Sequence, residues 1–466
     1  MGENTLFKMI RTNLLAQGAF IIKTTLTATA VLVFCLSPSA FALSSGQFDL
    51  STVTFAETNN DSGDFEAVLN FNYRIEKELK NRRWRFAAET DVFAATYPDF
   101  AFAIPEAKFV YSTRDTEASI GRKKVERISF LDEDWYLGAQ TAFFRMDPFR
   151  PAEQGLVGLN YQIKTKEVFI EFFGSPFFVP DQNPGVKVRE DGSVVSGNPW
   201  VILPPERLEL STGGMLEIDY ALVEDSVPEL LSQAQFGGRF GIELKDLSIL
   251  GMYYNRPSKQ LNFDVSAKVE SGEQAGFVNV QAKPLFSREH FYGLQAESVW
   301  MNKLKIKNGF YGIIQQNDEA QTAKFQTTKY DYFFIANSVE YDFSKFKLSL
   351  RHLLTNKKQV EEIGVTYFET SRFLFENAVA AEISNLNWKT LTFKFGSVYS
   401  YKEEVAQFYI RTQKNLNSKL AVYAFANIIN DFSDAQVSSD STELTPLGMK
   451  RYAALDNVRI GLSYVF

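Results

Sequence analysis

The chain has 466 residues, with 49 Lys and Arg against 56 Asp and Glu, two His, one Cys and a formal net charge of −7. An acidic chain is a poor partner for nucleic acid, and one cysteine excludes a disulfide scaffold or a thiolate metal site built within the chain. Yet 43 Phe and 20 Tyr occur in a sequence of mean hydropathy −0.17, a combination that sheets with one apolar and one wet face reconcile better than a soluble core does.

The first 42 residues read as a leader. Lys8, Arg11 and Lys23 give a positive start, Thr24 to Leu36 is a short apolar run, and Ala40 and Ala42 are small residues at the two cleavage-determining positions. A secretory signal peptide ending at Ala42 is expected. Its basic part is long, and a start at Met9 stands as an alternative to Met1. Cys35 lies in the apolar run behind Phe34, too large a residue for a lipoprotein signal, so cleavage leaves no thiol. Removing three bases and one acid leaves 46 Lys and Arg against 55 Asp and Glu, a net charge of −9. Beyond the leader there is no run of 18 apolar residues, which excludes helical spans.

A period of two then recurs along the chain. Phe65, Ala67, Leu69, Phe71, Tyr73 and Ile75 alternate with Glu66, Val68, Asn70, Asn72 and Arg74. Trp84, Phe86, Ala88, Thr90 and Val92 alternate with Arg85, Ala87, Glu89, Asp91 and Phe93. The same rhythm covers Phe263 to Val269, Tyr292 to Trp300, Leu304 to Ile314, Phe346 to Leu350, Leu391 to Tyr399, Ala406 to Thr412 and Leu420 to Ile428. Stretches of roughly ten residues suit strands that cross a bilayer at a tilt. Soluble sandwiches also alternate, so the number and length of the stretches carry the argument, and the lack of a fixed-period repeat counts against a solenoid. Roughly twenty-two stretches can be marked. The predicted fold is all-β: a transmembrane antiparallel up-and-down β-barrel over residues 43–466, with an even strand number in the range of roughly 16 to 22.

Four connectors are expected to be long loops, near 124–154, 174–211, 315–329 and 430–451. The first holds Asp132-Glu133-Asp134-Trp135 and Arg145 to Pro151. The second carries Pro176, Pro180, Pro184, Pro199, Pro204 and Pro205, a density no sheet interior accepts. Loops of this length either stay solvated or fold inward and narrow the lumen. The second is expected inward, because Phe177-Phe178-Val179 and Trp200 to Leu203 are too apolar for water. Ser226, Pro228 and Glu229 predict a short helix over 226–233.

Two segments carry a narrower resemblance. Pro105-Glu106-Ala107-Lys108-Phe109-Val110-Tyr111 followed by Ala118 to Lys123 resembles a hairpin common in large porin-type barrels, a Glu-Ala-aromatic strand and then a strand ending Gly-Arg-Gln. Here Lys108 replaces an aromatic and Lys123 the Gln. The resemblance implies that Glu106 and Arg122 face each other inside the barrel. Gln235 to Phe240 resembles the start of another strand of that group, with Arg239 inward. The chain ends Val458 to Phe466, apolar on one face and small or polar on the other, and this resembles the C-terminal strand of a Gram-negative outer-membrane β-barrel protein. That implies a place in the cell outer membrane and an assembly signal at Leu462, Tyr464 and Phe466. The partners implied are membrane lipid and lipopolysaccharide, the barrel-assembly machinery and small solutes, with no cofactor and with a homo-oligomer left open.

A porin-like channel for small polar solutes is the expected function, since selectivity in such barrels comes from width and lining charge. Candidate pore-lining charges are Arg74, Arg85, Glu89, Asp91, Glu106, Lys108, Arg122, Arg239, Asp264, Lys268, Lys305, Lys307, Lys394, Arg411 and Arg459. The later ones are mostly basic, which favours an anionic solute. Two alternatives stand beside this reading. One is a transporter of specific or hydrophobic compounds, motivated by Phe93, Val110, Phe169 and Phe173. The other is a structural or adhesive barrel with a blocked lumen. No enzyme is expected, because His290 and His352 have no nucleophile placed beside them. The acidic run 132–134 lacks the spacing of a dedicated Ca²⁺ loop.

Overall fold

The computed structural model describes residues 43–466 apart from 56–64, 79–82, 96–99, 126–128, 145–146, 184, 202, 205, 210–213, 223–230, 260–261, 272–275, 286, 317–324, 328–329, 360–365, 369–373, 433–448, 450–451 and 453–454. The expected leader and most of the expected helix over 226–233 lie outside the described residues.

Eighteen strands form one closed antiparallel sheet. They are β1 (Leu43–Phe55), β2 (Phe65–Glu78), β3 (Trp84–Ala95), β4 (Phe100–Ser112), β5 (Thr116–Lys123), β6 (Leu156–Lys164), β7 (Val168–Ser175), β8 (Gln235–Glu243) and β9 (Leu247–Pro257). The second half comprises β10 (Arg288–Trp300), β11 (Leu304–Gln315), β12 (Tyr330–Asp342), β13 (Lys347–Gln359), β14 (Ala378–Trp388), β15 (Leu391–Ser400), β16 (Val405–Asn415), β17 (Leu420–Asp431) and β18 (Asn457–Val465). Each pairs with its sequence neighbours, and β18 closes on β1 with Leu50 opposite Leu462. Eighteen strands leave room inside for more than side chains.

Strand direction alternates, so the connectors divide between two ends. Both chain ends of the barrel and every even-to-odd turn lie at one end, where no connector exceeds the five residues of 79–83. The turn at 301–303 is tight: Met301 and Asn302 both adopt left-handed backbone, as hairpin turns matched to strand twist require. All long connectors leave from the other end: 124–155, 176–234, 258–287, 316–329, 360–377 and 432–456.

Alternation sets the two faces. Phe109, Ile120, Leu159, Phe172, Phe240, Leu294, Phe310, Leu350, Phe408 and Ile460 are large, apolar and exposed on the outer surface. An apolar surface running around a whole barrel belongs in lipid, not water. The charged and buried positions between them point inward.

Alternation alone overcounts the wall. Residues 215–222, 262–271 and 276–285 join 207–209, 325–327 and 366–368 in a separate six-stranded sheet built by the long connectors. Period two identifies a strand but not the sheet it enters. Asp264 and Lys268 therefore sit on this loop sheet and not in the barrel wall, which corrects their expected place.

Candidate functional site: the lumen

The connector 124–155 folds into the barrel. Its helix α1 (Phe130–Trp135) starts at Ser129, whose Oγ accepts from Asp132 N, and stops at Tyr136, in left-handed backbone. Asp132 turns the chain back by accepting from Ser129 Oγ at 2.9 Å, Ala139 N at 2.8 Å and Gln140 N at 3.3 Å. The acidic run is thus used in folding the loop. Glu133 takes Lys307 Nζ at 2.8 Å and Asp134 takes Arg351 at 3.5 Å. Burial pushes the Asp134 carboxyl above its usual range, although Arg351 and Lys307 oppose this.

The opposite wall receives α1. Phe130 N donates to Gln295 Oε1 at 3.1 Å and to Tyr311 Oη at 3.2 Å. Leu131, Trp135 and Leu137 join one apolar cluster with Tyr254, Phe291, Tyr311, Ile313, Phe334 and Leu353 of the inner wall. Two bases clasp the loop's backbone at the end of β9. Fully buried Arg256 donates to the Gly138 and Ala139 carbonyls and pairs with Glu289 at 3.0 Å. Lys259 donates to the carbonyls of Tyr136, Gly138 and Gln140, and burial pushes its ammonium pKa down despite Asp181 nearby.

The second long connector also turns inward. Asp181 Oδ1 accepts from Ala142 N at 2.8 Å, and Phe144 N donates to Gln182 O at 2.8 Å, joining the two loops. Trp200 is buried with its ring 5.2 Å from Phe55, 6.1 Å from Phe149 and 6.2 Å from Tyr452. Phe178 is buried as well, but Phe177 is exposed.

Twelve of the fifteen expected charges point inward, most of them paired. Arg85 meets Glu76 at 3.0 Å and Glu117 at 3.7 Å, and Arg74 meets Glu106 at 3.9 Å. Glu106 takes Lys108 at 2.7 Å, Glu89 takes Lys124 at 2.9 Å, and Arg239 bonds Glu171. Asp91 accepts from Asn72 at 2.5 Å, Arg411 lies 5.4 Å from the Tyr423 ring, and Arg459 is 3.6 Å from Asp147. Along β10 to β15 the sign alternates by strand. Lys305 pairs with Glu297 at 2.8 Å, Lys307 with Glu340 at 3.5 Å, Arg351 with Glu382 at 3.6 Å, and Lys394 with Glu382 at 2.9 Å. The acids Glu297, Glu340 and Glu382 were legible only once strands had been set side by side.

Arg122 departs from its expected role. Register puts Ala107 opposite Arg122 and Lys108 opposite Gly121, so Arg122 shares the outward face of Ile120. Its guanidinium bonds the carbonyls of Ile104 at 2.9 Å and Gly155 at 3.0 Å, not Glu106. Lys123 is the inward base, 3.0 Å from Glu117 and 3.4 Å from Glu171.

A cavity of about 370 Å³ remains between the inserted loop and the closing strands. Gln47, Asp49, Asn70, Asn72, Asp91 and Arg459 line its barrel side, and Phe143, Asp147 and Arg150 its loop side. Arg150 stacks 3.8 Å over Phe425 and holds Asp147 at 2.8 Å. Of the expected alternative's aromatics, Phe93 stacks on Phe143 at 5.2 Å, while Phe169 and Phe173 lie in the apolar cluster with the loop.

The two histidines lie on the outer face. His290 shares a hydrogen bond with Tyr253 Oη at 2.9 Å, and His352 stacks on Tyr401. At the chain end, Leu462, Tyr464 and Phe466 are exposed outward, and the Phe466 ring stacks on Phe71, Tyr73 and Tyr464.

No family model and no curated protein matches the chain. Among solved structures it is similar to OccAB4 of Acinetobacter baumannii, at 10% identity over 92% of this chain and 100% of that one, with a TM-score of 0.44. A mutant of the Rh. blastica porin gives 9% identity, 91% and 99% coverage and a TM-score of 0.42. OmpT, an outer membrane protein of Vibrio cholerae in its trimer form, gives 9% identity, 91% and 98% coverage and a TM-score of 0.38. The barrel itself rests on the strand pairing described above.

Proposed function

We propose that the chain is a porin-like outer-membrane channel, narrowed by two inward-folded loops, through which small polar solutes diffuse. The carrying observation is the pairing of an apolar outer face with a lumen whose remaining cavity is lined by amides, carboxylates and guanidiniums. Water and polar solutes are stable along such a lining, and an apolar compound is not. The inner-wall aromatics that would favour a hydrophobic-compound transporter pack largely against the loops. The anionic preference loses its support, because Lys305, Lys307 and Lys394 each stand within 3 Å of a carboxylate. Partly compensated lining charge selects weakly by sign.

Conductance of the purified chain in planar bilayers tests this reading. Small steady steps, scaling with salt concentration, are expected from a loop-narrowed pore. No current under any voltage or solute would overturn it and leave the structural barrel with a blocked lumen, for which the apolar packing of α1 across the interior is the motivating observation.

A further inference from the structure

The lining of the seam-side cavity is uneven in charge, and this bears on which solute stops there. Asp147 is shared by Arg150 at 2.8 Å and Arg459 at 3.6 Å, so that end is compensated. The other end holds no ion pair among the described residues, although Arg411 acts on Asp49 and Lys124 on Asp91 at longer range. Asp49 accepts from Gln47 Nε2 at 2.7 Å and Asp91 from Asn72 Nδ2 at 2.5 Å, yet among the described residues neither has a basic side chain within ion-pair distance. Their neighbour Glu89 does, with Lys124 at 2.9 Å.

Cross-strand register explains how the two acids come together. Asp49 of β1 stands opposite Asn70 of β2, which stands opposite Phe93 of β3, with Asp91 two residues from Phe93 on the same face. Asn70 lies on the strand between the two carboxylates. Asn70 lines the cavity, although its Oδ1 is closed off from solvent and has no hydrogen-bond partner among the described residues. Phe93 and Phe143, stacked at 5.2 Å, form an apolar floor beside it. No group of three acidic, His or Cys side chains among the described residues is close enough to hold a metal ion.

We propose that this cavity is a binding subsite for small organic solutes carrying a primary ammonium group. The ammonium brings three donors and a positive charge to two carboxylates that have no ion-pair partner among the described residues, and its short alkyl chain rests on the Phe93–Phe143 pair. The proposal deepens the channel reading and rests on it for transport, but not for binding. Adjacent strands are about 4.8 Å apart and Asp91 stands two residues further along, so an ammonium midway between the two lies roughly 6 Å from each flanking carboxylate, where opposite charge is still felt in a partly enclosed site.

The test uses n-butylammonium and butyrate, ions of equal length and opposite sign, against the full chain. In planar bilayers butylammonium should block current saturably and butyrate should not. Calorimetry of the detergent-solubilised barrel should show the same order of affinity. Asp49→Asn/Asp91→Asn should weaken butylammonium binding about tenfold or more, with Asp49→Asn alone, at a half-buried position, used should the double variant fail to fold. Equal binding of the two ions, or unchanged butylammonium binding in the variant, overturns the subsite. Butylammonium binding in a barrel that carries no current supports the subsite and ends the channel reading; current with no preference between the ions does the reverse.

Discussion

Arg256→Ala is expected to be the most costly single change in the lumen, and its magnitude follows from what it leaves behind. Arg256 is 1% exposed and Glu289 0%. The guanidinium gives Nε and Nη2 to Glu289 at 3.1 and 3.0 Å and donates to two carbonyls of the inserted loop, at Gly138 and Ala139. Truncation strands a carboxylate in a place without water, and breaking a buried pair from one side costs about 3–5 kcal/mol. Removing both charges is different: Arg256→Met/Glu289→Gln keeps the volume and leaves neither partner of the pair charged, so most of that cost should return, less about 1–2 kcal/mol for the lost carbonyl bonds. Urea unfolding of the barrel in lipid vesicles, run on the wild type and on both variants, gives the comparison. Limited proteolysis should also cut within 136–140 in the single variant. A single variant costing under about 1 kcal/mol, or one no worse than the double, would show that the clasp at β9 is not held together by charge.

Deleting Phe466, or replacing Phe466 and Tyr464 by Ser, should prevent formation of a heat-modifiable barrel, because the Phe466 ring bridges Phe71 and Tyr73 across the closing seam; normal yield would refute this. Phe310→Arg, at an exposed outward site midway along β11, should cost about 2–4 kcal/mol in vesicle unfolding, whereas Thr392→Arg on the inward face should cost under about 1 kcal/mol. Comparable penalties at the two sites would mean the faces are misassigned. For Asp147, burial alone would raise the carboxyl pKa, but Arg150, Arg459 and the Phe149 N–H outweigh it and hold it below its usual value of 3.8. A depressed carboxylate stabilises the fold above its unfolded pKa and loses that contribution as pH falls through the folded value. Protease sensitivity of the loop should therefore rise as pH drops below about 4, and Asp147→Asn should flatten that dependence; an unchanged profile in the variant would contradict the assignment.

What could be read in advance was local. Alternation assigned the faces of β2 and β3 residue by residue, because Leu69 and Phe71 against Asn70 and Asn72 need no knowledge of neighbours. It could not say that 262–271 leaves the wall, since a strand of a loop sheet alternates just as a wall strand does. Nor could it pair charges. Lys305 was visible as an inward base, while Glu297 became its partner only through the β10–β11 register. Arg122 was misplaced by one step of parity. The resemblance sets it against Glu106, but the turn at 113–115 places Ser112 opposite Glu117, and the unbroken register that follows brings Ala107, one residue on and on the other face, opposite Arg122. The insertion of 124–155 had only a composition hint, since the groups that fix it, Arg256, Lys307 and Arg351, are more than a hundred residues away.

The alternation of sign along β10 to β15 bears on how such a barrel changes size. Each hairpin in this stretch carries its own acid and base: Glu297 with Lys305, Glu340 with Lys347, Glu382 with Lys394. A hairpin gained or lost by duplication or deletion would bring or remove charges of both signs together, and its outer flanks would still present acid to base. The circumference could then grow or shrink two strands at a time without leaving a stranded ion inside the wall, so the electrostatics of this region place no barrier between barrels of neighbouring even strand number.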